Sequence, residues 1–283
     1  MKPFLKYRGG KYKDIPYFEK YIPRDFDRYV EPFVGGGAVF FYLEPERAII
    51  NDINEKLYRT YYEIKTMYPL VRKQLDELQA RYEQNLKIYL EQKKVAGDEI
   101  YVKDPNEDFY YEMREEFNHP TGKYLFASVY YFINKTAYSG MIRYNKNGEY
   151  NVPYGRYKNF NTHILTEKHH QLLARTEIYN EDYSVIFNMV NEKDFIFLDP
   201  PYDCIFSDYG NAEFTGDFGE DEHRKLAQDF RNLSTRALMV IGKTKLTEEL
   251  YKPFIVDEYD KSYAVNIRNR FKSEAKHLII KNY

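Results

Sequence analysis

The chain has 283 residues and a formal net charge of −2 at pH 7, a length that allows one large domain or one domain with a sizeable insertion. Its 43% hydrophobic and 30% charged residues are typical of a soluble globular enzyme with a real core. A charge so close to neutral excludes a protein that is basic throughout. Any surface that binds nucleic acid must therefore be a local basic patch.

Cysteine and histidine are too sparse to indicate disulfides or metal sites. The single cysteine, Cys204, excludes an internal disulfide and suits a reducing compartment. No zinc-ligand spacing occurs, so we expect no metal, and we place His169 and His170 on the surface of a polar helix. No cationic and apolar leader and no apolar run near ~18 residues is present, so we expect a cytoplasmic protein outside the membrane. We interpret the 31 tyrosines as a compositional bias.

The first elements in chain order are a strand, a glycine turn and a helix. Residues 27–43 contain an apolar strand, three glycines at 35–37 and an apolar helix. Residues 47–52 are a second strand with a polar end, and a helix is expected after Asn54. This β–turn–α–β unit is the usual opening of a doubly wound sheet.

The middle of the chain has a different pattern. Residues 55–133 carry leucines at helical spacing, with breaks at 96–98 and 104–106. Asn147 and Gly148 then lie between β-prone segments, which is a strong hairpin signal. We expect a helical and hairpin insertion of about a hundred residues.

Strand patterns return in the last third of the chain. The predicted strands are 177–179, 194–198, 237–241 and 277–280. Together with the first two strands they predict an open α/β sheet whose carboxyl edge binds the ligand.

The glycine turn and the end of the second strand predict a nucleoside cofactor. Glycine allows a close approach to a ligand, and Asp52, 17 residues after Gly35, would accept hydrogen bonds from ribose hydroxyls. The spacing is not G-x-G-x-x-G, which disfavours a dinucleotide. Glu31 and Phe33 just before the glycines favour S-adenosylmethionine, and a purely structural turn is the alternative.

The N-terminal segment 4–11 is a second candidate ligand site. Gly9 and Gly10 are flanked by Arg8 and Lys11, and they would wrap a ligand carboxylate or a DNA phosphate. The alternative is a flexible basic terminus. The aromatic Tyr7 favours the first interpretation.

The most informative stretch is Asp199-Pro200-Pro201-Tyr202, directly after the apolar strand. The prolines cannot continue a strand ladder, and they hold the carbonyl of Pro200 beside the Asp199 carboxylate. Two acceptors that take both N–H bonds of an adenine amine would turn its lone pair toward a sulfonium methyl group. The rate would then come from positioning and electrostatics, with Asp199 ionised as an acceptor. The alternative is a plain loop that ends the strand.

An adenine amine inside a duplex is out of reach, so the target base must be flipped out. Tyr202 would then stack against it, an interaction worth on the order of 1–3 kcal/mol per base. Asp199, Pro200 and Tyr202 are thus the predicted catalytic residues.

These motifs together resemble the Dam-type (D12 class) adenine-N6 DNA methyltransferases, in the motif order of their alpha group. Residues 4–11 look like the family's K-W-x-G-G-K, 31–38 match its methyl-donor loop, and 199–202 match its catalytic motif. The resemblance implies S-adenosylmethionine as the cofactor. The residues it implies for cofactor binding are Tyr7, Lys11, Glu31, Phe33, Gly35, Gly37, Asp52, Asp182, Tyr183 and Asp199.

Residues 138–157 are similar to the family's target-recognition hairpin, which enters the major groove of GATC-like sites. The resemblance implies that Arg143 reads a guanine and that Lys6 contacts the first guanine. The residues it implies for DNA binding are Lys6, Arg143, Asn145, Lys146, Asn151, Pro153 and Arg156. The hairpin is rich in Lys and Arg, as a local basic patch requires, and a merely solvated hairpin is the alternative. The chain departs from the family at Tyr7, where Trp is usual, and at Ser139, where Asn is frequent.

We therefore expect an α/β fold with a Rossmann-like, S-adenosylmethionine-dependent methyltransferase sheet and an inserted helical and β-hairpin target-recognition domain. The expected catalytic domain comprises residues 1–55 and 165–283, and the target-recognition domain comprises residues 56–164. Residues 203–219 are expected to form a loop over the pocket, and 268–273 resemble a family loop near the target strand.

The functional hypothesis is a site-specific DNA adenine-N6 methyltransferase that acts on a flipped-out adenine in GATC or a related GA-containing site. Its expected partners are double-stranded DNA, S-adenosylmethionine and a cognate restriction endonuclease in the cell. Two alternatives stay open. One is the same chemistry on an RNA adenine or a protein amide, and the other is an inactive DNA-binding relative.

Overall fold

The computed structural model describes residues 1–7, 9–97, 100–202, 218–261 and 275–283. The expectations for Arg8, Cys204, residues 203–217 and residues 268–273 lie outside these described residues.

The described residues form one seven-stranded sheet in the order β3-β2-β1-β4-β5-β7-β6. Strands β1 to β5 are parallel, whereas β7 pairs antiparallel with both β5 and β6. The strands are β1 Tyr29–Glu31, β2 Ala48–Asn51, β3 Thr176–Tyr179, β4 Phe195–Leu198, β5 Arg236–Gly242, β6 Ile255–Lys261 and β7 Ala275–Lys281. The expected α/β methyltransferase sheet is confirmed.

Helices cover both faces of the sheet. The α-helices among the described residues are α1 Ile15–Phe18, α2 Ala38–Leu43, α3 Glu55–Ala96, α4 Pro105–Asn118, α5 Phe126–Thr136, α6 Glu167–Ala174, α7 Tyr183–Phe187, α8 Glu220–Asn232 and α9 Lys245–Tyr251. Successive side chains of β4 point to opposite faces. Phe195 and Phe197 pack in the core shared with α2, α3 and α5. Ile196 and Leu198 pack in the core shared with α7, α8 and α9.

The predicted strands are all present, and one strand was missed. β1, β2 and β4 are buried along their whole length, as strands with both faces covered should be. β6 escaped prediction because only Tyr259 on it is buried. Its other side chains are polar or exposed at the edge of the sheet.

Helix α3 runs for 42 residues from the sheet into the insertion. The side chain of Asn54 caps its start, and Gly97 follows its end, as the sequence predicts. Met67 has non-helical dihedral angles two residues before Pro69, a break that proline in a helix explains. Beyond Tyr82 none of the side chains of α3 is buried, so the last turns project from the core.

Between α5 and α6 lies an irregular segment, residues 137–162, which we call the 137–162 loop. The N–H of Gly148 donates to the carbonyl of Asn145 at 3.0 Å, and Gly148 has a φ of +79°. This is the geometry of a short hairpin turn closed by a glycine. The antiparallel bridges of the segment pair Ala137 with Tyr154 and Tyr144 with Tyr150. The predicted hairpin is confirmed, but it carries isolated bridges in place of regular strands.

The surface placement of His169 was wrong. Its ring is buried, its Nε2 lies 2.9 Å from the carbonyl of Lys2, and its Nδ1 lies 2.8 Å from the hydroxyl of Thr166. The carbonyl of Lys2, which satisfies one ring nitrogen, lies 167 residues away, so local polarity does not reveal it. His170 is only partly exposed and stacks on Tyr68. Among the described helices, none is both long and apolar enough to cross a membrane.

Candidate active site

The predicted site residues meet where the strand order reverses. β1 lies between β2 and β4, and in such sheets the carboxyl ends at the reversal open a crevice for ligands. The glycine turn follows β1, Asp52 follows β2 and Asp199 follows β4. One edge of the sheet therefore brings together groups that are far apart in the sequence, from Gly35 to Asp199.

The glycine turn has a conformation and a tightness that only glycine allows. Gly35 and Gly37 have φ of +49° and +69°. A Cβ on Gly35 would lie 2.7 Å from Cε1 of Tyr7. The N–H of Gly35 donates to Oδ2 of Asp52 at 2.8 Å, and its carbonyl accepts from the hydroxyl of Tyr61 at 2.7 Å. The turn is thus fixed against the N-terminal segment and against β2.

Three carboxyl groups share this edge. Burial raises the pKa of Asp52 to about 6, although the N–H groups of Asn54 and Gly35 oppose the rise. Burial also raises the pKa of Glu31 well above its usual range, and the negative charges of Asp199 and Asp52 raise it further. An edge with this charge favours a cationic ligand, which would relieve the repulsion.

The end of β3 adds an aromatic pair and a helix cap. The rings of Phe33 and Tyr183 lie 5.4 Å apart at 36°, and the hydroxyl of Tyr183 donates to Asp229 at 2.8 Å. Asp182 caps α7 through the N–H of Ser184 at 2.9 Å. An aromatic face beside a carboxylate is suited to a purine ring.

The D-P-P-Y motif is bound to the N-terminal segment. Nζ of the buried Lys11 lies 2.5 Å from Oδ1 of Asp199 and also donates to the hydroxyl of Tyr202. Burial raises the pKa of Asp199, and the Lys11 ammonium opposes this rise. Pro200, the next residue, is buried. Lys11 and Asp199, both expected at the cofactor, thus contact each other at the D-P-P-Y motif.

The exposed face of the 137–162 loop carries the residues expected to bind DNA. Arg143 is exposed, and its guanidinium lies across the hairpin, where Nε donates to Oδ1 of Asn151 at 2.7 Å. Lys6 reaches the same region, with its Nζ 3.1 Å from the carbonyl of Lys135 and 4.1 Å from the centre of the Tyr157 ring. Lys6 of the N-terminal segment thus packs against the 137–162 loop through Tyr157.

The other residues of this group have mixed roles. Asn145 holds the turn, because its Oδ1 accepts from the N–H groups of Asn147 and Glu149. Lys146, Pro153 and Arg156 are exposed.

The comparisons with known proteins agree with one another. The sequence pattern of the family described as D12 class N6 adenine-specific DNA methyltransferase matches residues 7–265. The chain belongs to this family. It is 37% identical to the type II methyltransferase M.CviBI of Paramecium bursaria Chlorella virus NC1A, over all of both chains. It is 31% identical to M.MjaIII of Methanocaldococcus jannaschii, over all of this chain and 99% of that one. It is 30% identical to the DNA adenine methylase of Escherichia coli K12, over 89% of this chain and 84% of that one. The protein is thus an adenine-specific DNA methyltransferase.

Sequence reasoning missed one buried polar residue of the methyltransferase site. Asn51 is buried, and its Nδ2 donates to the carbonyls of Pro32 and Glu181 at 2.9 Å each. It joins the turn after β1 to the segment after β3. An amide that ends an otherwise apolar strand was the available signal. In the part of the chain that the structure describes, no three His, Cys, Asp or Glu side chains form a group able to hold a metal ion.

Proposed function

We propose that the enzyme transfers a methyl group from S-adenosylmethionine to the N6 amine of a flipped-out adenine in GATC or a related GA-containing duplex site. Asp199, Pro200 and Tyr202 are the catalytic residues of this proposal. The observation that carries it is the pairing of Asp199 with Lys11 at the end of β4, next to the glycine turn after β1. The pairing supplies a fixed acceptor at the carboxyl edge of the sheet, where the glycine turn also lies.

The chemistry of the crevice fits the proposed cofactor. Glu31 would face the cationic groups of S-adenosylmethionine, and Asp52 would accept from the ribose hydroxyls. Phe33, Asp182 and Tyr183 would border the adenine of the cofactor. When bound, S-adenosylmethionine supplies the methyl group. Tyr7, Gly35 and Gly37 would shape the turn around it.

The residues of the motif divide the chemical work. Lys11 holds Oδ1 of Asp199, so we assign Oδ2 and the carbonyl of Pro200 to the two N–H bonds of the target amine. Acceptors fixed in this way localise the nitrogen lone pair and stabilise the positive charge that develops on it. The ion pair with Lys11 keeps Asp199 ionised in spite of its burial.

The substitution Asp199→Asn tests this mechanism. We expect it to reduce methyl transfer to duplex DNA by about 1,000-fold or more, since it removes a charged acceptor at the reacting atom. The affinities for the cofactor and for DNA should stay close to those of the wild type. Asp25→Asn is the matched control, because Asp25 is 91% exposed and distant in sequence from the motif. Normal transfer by Asp199→Asn would refute the mechanism.

Base flipping is tested with 2-aminopurine in place of the target adenine. A base that leaves the duplex loses its quenching neighbours, and stacking on Tyr202 restores part of the quenching. The wild type should raise the fluorescence moderately, and Tyr202→Ala should raise it further. An unchanged signal in both proteins would exclude flipping.

Sequence readout is assigned to Lys6 and to the exposed face of the 137–162 loop. The proposed DNA-binding residues are Lys6, Arg143, Asn145, Lys146, Asn151, Pro153 and Arg156. Arg143→Ala should relax the preference at one base pair by roughly 1–3 kcal/mol. The matched control Arg224→Ala lies on α8, outside this surface. A uniform loss of affinity with unchanged preference would make Arg143 a phosphate contact instead.

The target sequence and the biological setting are tested in cells. We propose that residues 56–164 form the target-recognition domain and that residues 1–55 and 165–283 form the catalytic domain. Two relatives are named type II methyltransferases, so we propose a cognate restriction endonuclease as the cellular partner. Sequencing of N6-methyladenine in DNA from cells that express the enzyme should show one GA-containing site. Cells with Asp199→Asn are the control.

A further inference from the structure

A chain of buried, hydrogen-bonded side chains lies behind the D-P-P-Y motif. It lies in the antiparallel strands β6 and β7, to which the proposed mechanism gives no role. Tyr259 of β6 lies directly opposite His277 of β7 in the strand register. Both side chains are buried, as is Asp14 at the start of α1. Three distant parts of the sequence thus meet under one edge of the sheet.

The hydrogen bonds in this chain have a defined direction. The hydroxyl of Tyr259 donates to Oδ2 of Asp14 at 3.3 Å, and Nζ of Lys261 donates to the same oxygen. Nδ1 of His277 lies 3.0 Å from the Tyr259 hydroxyl. Since the Tyr259 hydroxyl donates to the carboxylate, we assign the donor role in the second bond to the Nδ1–H tautomer of His277. The ring of Tyr259 is also stacked on the ring of Tyr17, with their centres 4.6 Å apart. Tyr259 is therefore held by both its hydroxyl and its ring.

The far end of the chain contacts the catalytic tyrosine. The rings of His277 and Tyr202 lie 5.2 Å apart at 68°, an edge-to-face contact. Gly242 of β5 lies on another side of Tyr202, where a Cβ would be 3.7 Å from Cγ of the ring. Lys11 donates to the hydroxyl of Tyr202. The plane of this ring is therefore set by contacts from β5, from β7 and from the N-terminal segment.

The same chain also supports Lys11. The N–H of Asp14 donates to the carbonyl of Lys11 at 2.8 Å, so the turn that carries Lys11 and the strand that carries His277 are joined through Asp14 and Tyr259. Burial, together with the charges of Lys11 and Lys261, lowers the pKa of His277 to about 3. The ring is neutral at physiological pH, which suits a fixed hydrogen-bond donor and not a proton carrier.

We propose that His277 is a positioning residue for the methyl-transfer reaction. Held by Tyr259 and Asp14, it fixes the ring plane of Tyr202 on which the target adenine stacks. The inference rests on the proposed stacking role of Tyr202. It assigns a function to the antiparallel β6–β7 pair, which adds no residue of its own to the chemistry.

The test combines single and double substitutions in the full-length enzyme. His277→Leu removes the ring edge and the Nδ1 donor, and it should lower the single-turnover methylation rate on duplex DNA about tenfold, a size typical of coupling between contacting residues. Affinities for the cofactor and for DNA should stay near wild type. In a Tyr202→Ala background the same substitution should cause no further loss, because its effect passes through Tyr202. Rate losses that multiply in the double variant would overturn the proposal.

A milder variant and a spectroscopic signal keep the test independent of folding. Tyr259→Phe removes only the hydroxyl and leaves the stack on Tyr17, and it should lower the rate to a smaller extent than His277→Leu. Tyr251→Phe is the matched control, because it removes another buried tyrosine hydroxyl, on α9, outside the D-P-P-Y motif and the 137–162 loop. It should leave the rate unchanged. The fluorescence of 2-aminopurine at the target position should change in His277→Leu in the same direction as in Tyr202→Ala.

The outcomes distinguish the proposed stacking role of Tyr202 from the proposed positioning role of His277. If Tyr202→Ala methylates normally, the proposed function of Tyr202 fails. If Tyr202→Ala is impaired while His277→Leu has the wild-type rate and fluorescence, only the positioning role fails. A lower melting temperature without a change in rate would likewise show that His277 is purely structural.

Discussion

The carboxyl edge of the sheet and the 137–162 loop are held in place by different kinds of bonds. At the edge, Asp52 and Asp199 directly follow strands whose parallel ladders fix their backbone positions. The 137–162 loop has only isolated bridges. Its main chain is anchored instead by side chains from neighbouring helices.

Tyrosine hydroxyls share this anchoring with the side chains of Arg72, Gln79, Arg114 and Asn118, and Tyr150 of the loop itself adds a further bond. The pairs of tyrosine and accepting carbonyl are Tyr82 with Tyr157, Tyr110 with Val152, Tyr131 with Asn161 and Tyr150 with Met141. A buried tyrosine fills the core with its ring and still offers one donor to a distant carbonyl. The tyrosine excess, which we interpreted as a bias, thus has a structural use in this loop. The carboxyl edge of the sheet is thus positioned by main-chain ladders. The 137–162 loop depends on single side-chain bonds, which can change one by one.

The largest effect on stability should come from the sheet. It concerns the buried ion pair between Arg28, just before β1, and Asp194, just before β4. Asp194 is fully buried and accepts from Nε and Nη2 of Arg28 at 3.1 and 2.7 Å. Arg28→Met would leave a buried charge without its partner and should lower the free energy of unfolding by about 3–5 kcal/mol. Urea denaturation measures this. The exposed pair Arg224–Glu220 provides the control Arg224→Met, which should change stability by less than about 1 kcal/mol.

The next effect should come from the 137–162 loop. Tyr82 donates to the carbonyl of Tyr157, and its oxygen lies 2.7 Å from the hydroxyl of Tyr154. Tyr82→Phe should cost about 1–3 kcal/mol, since both partners lose a buried bond. It should also reduce discrimination between the target site and a site with one changed base pair. Cofactor affinity should not change.

Tyr61→Phe is the counterpart of that variant at the edge of the sheet. It removes the bond to the carbonyl of Gly35, so it should weaken cofactor binding and leave discrimination intact. If both variants altered the same property, the division between the two regions would be wrong.

A smaller effect on cofactor affinity is expected when the pH is lowered. Burial raises the pKa of Asp52 to about 6, and hydrogen bonds from ribose hydroxyls would favour the ionised form. Cofactor affinity should therefore be full above pH 6 and should fall about tenfold per pH unit well below it. Asp52→Asn should bind weakly and show no such dependence near pH 6. Equilibrium dialysis with S-adenosylhomocysteine measures both.

The smallest effect is a gain in stability. Ser139 has a φ of +55°, a conformation that costs most side chains about 1–2 kcal/mol and that asparagine tolerates better. Ser139→Asn should raise the free energy of unfolding by about 0.5–1 kcal/mol, and Ser139→Ala should give no gain. A stabilised Ser139→Ala would show that strain is not the cause.

The same contrast explains what the sequence could predict. Apolar runs that end in Asp52 and Asp199 mark both a strand and a ligand site, so the edge was predictable from local patterns. The bonds of Lys11 to Asp199 and of Tyr259 to Asp14 span 188 and 245 residues, and no local signal encodes them. β6 was missed for a related reason, because an edge strand needs few apolar residues.

Helix α3 connects these two regions. It starts three residues beyond Asp52, contacts the glycine turn through Tyr61, and reaches the 137–162 loop through Tyr82. One residue added between Tyr61 and Tyr82 would advance the far half by about 1.5 Å and rotate it by about 100°. The spacing along this helix therefore sets both the distance and the angular phase between the glycine turn and the 137–162 loop.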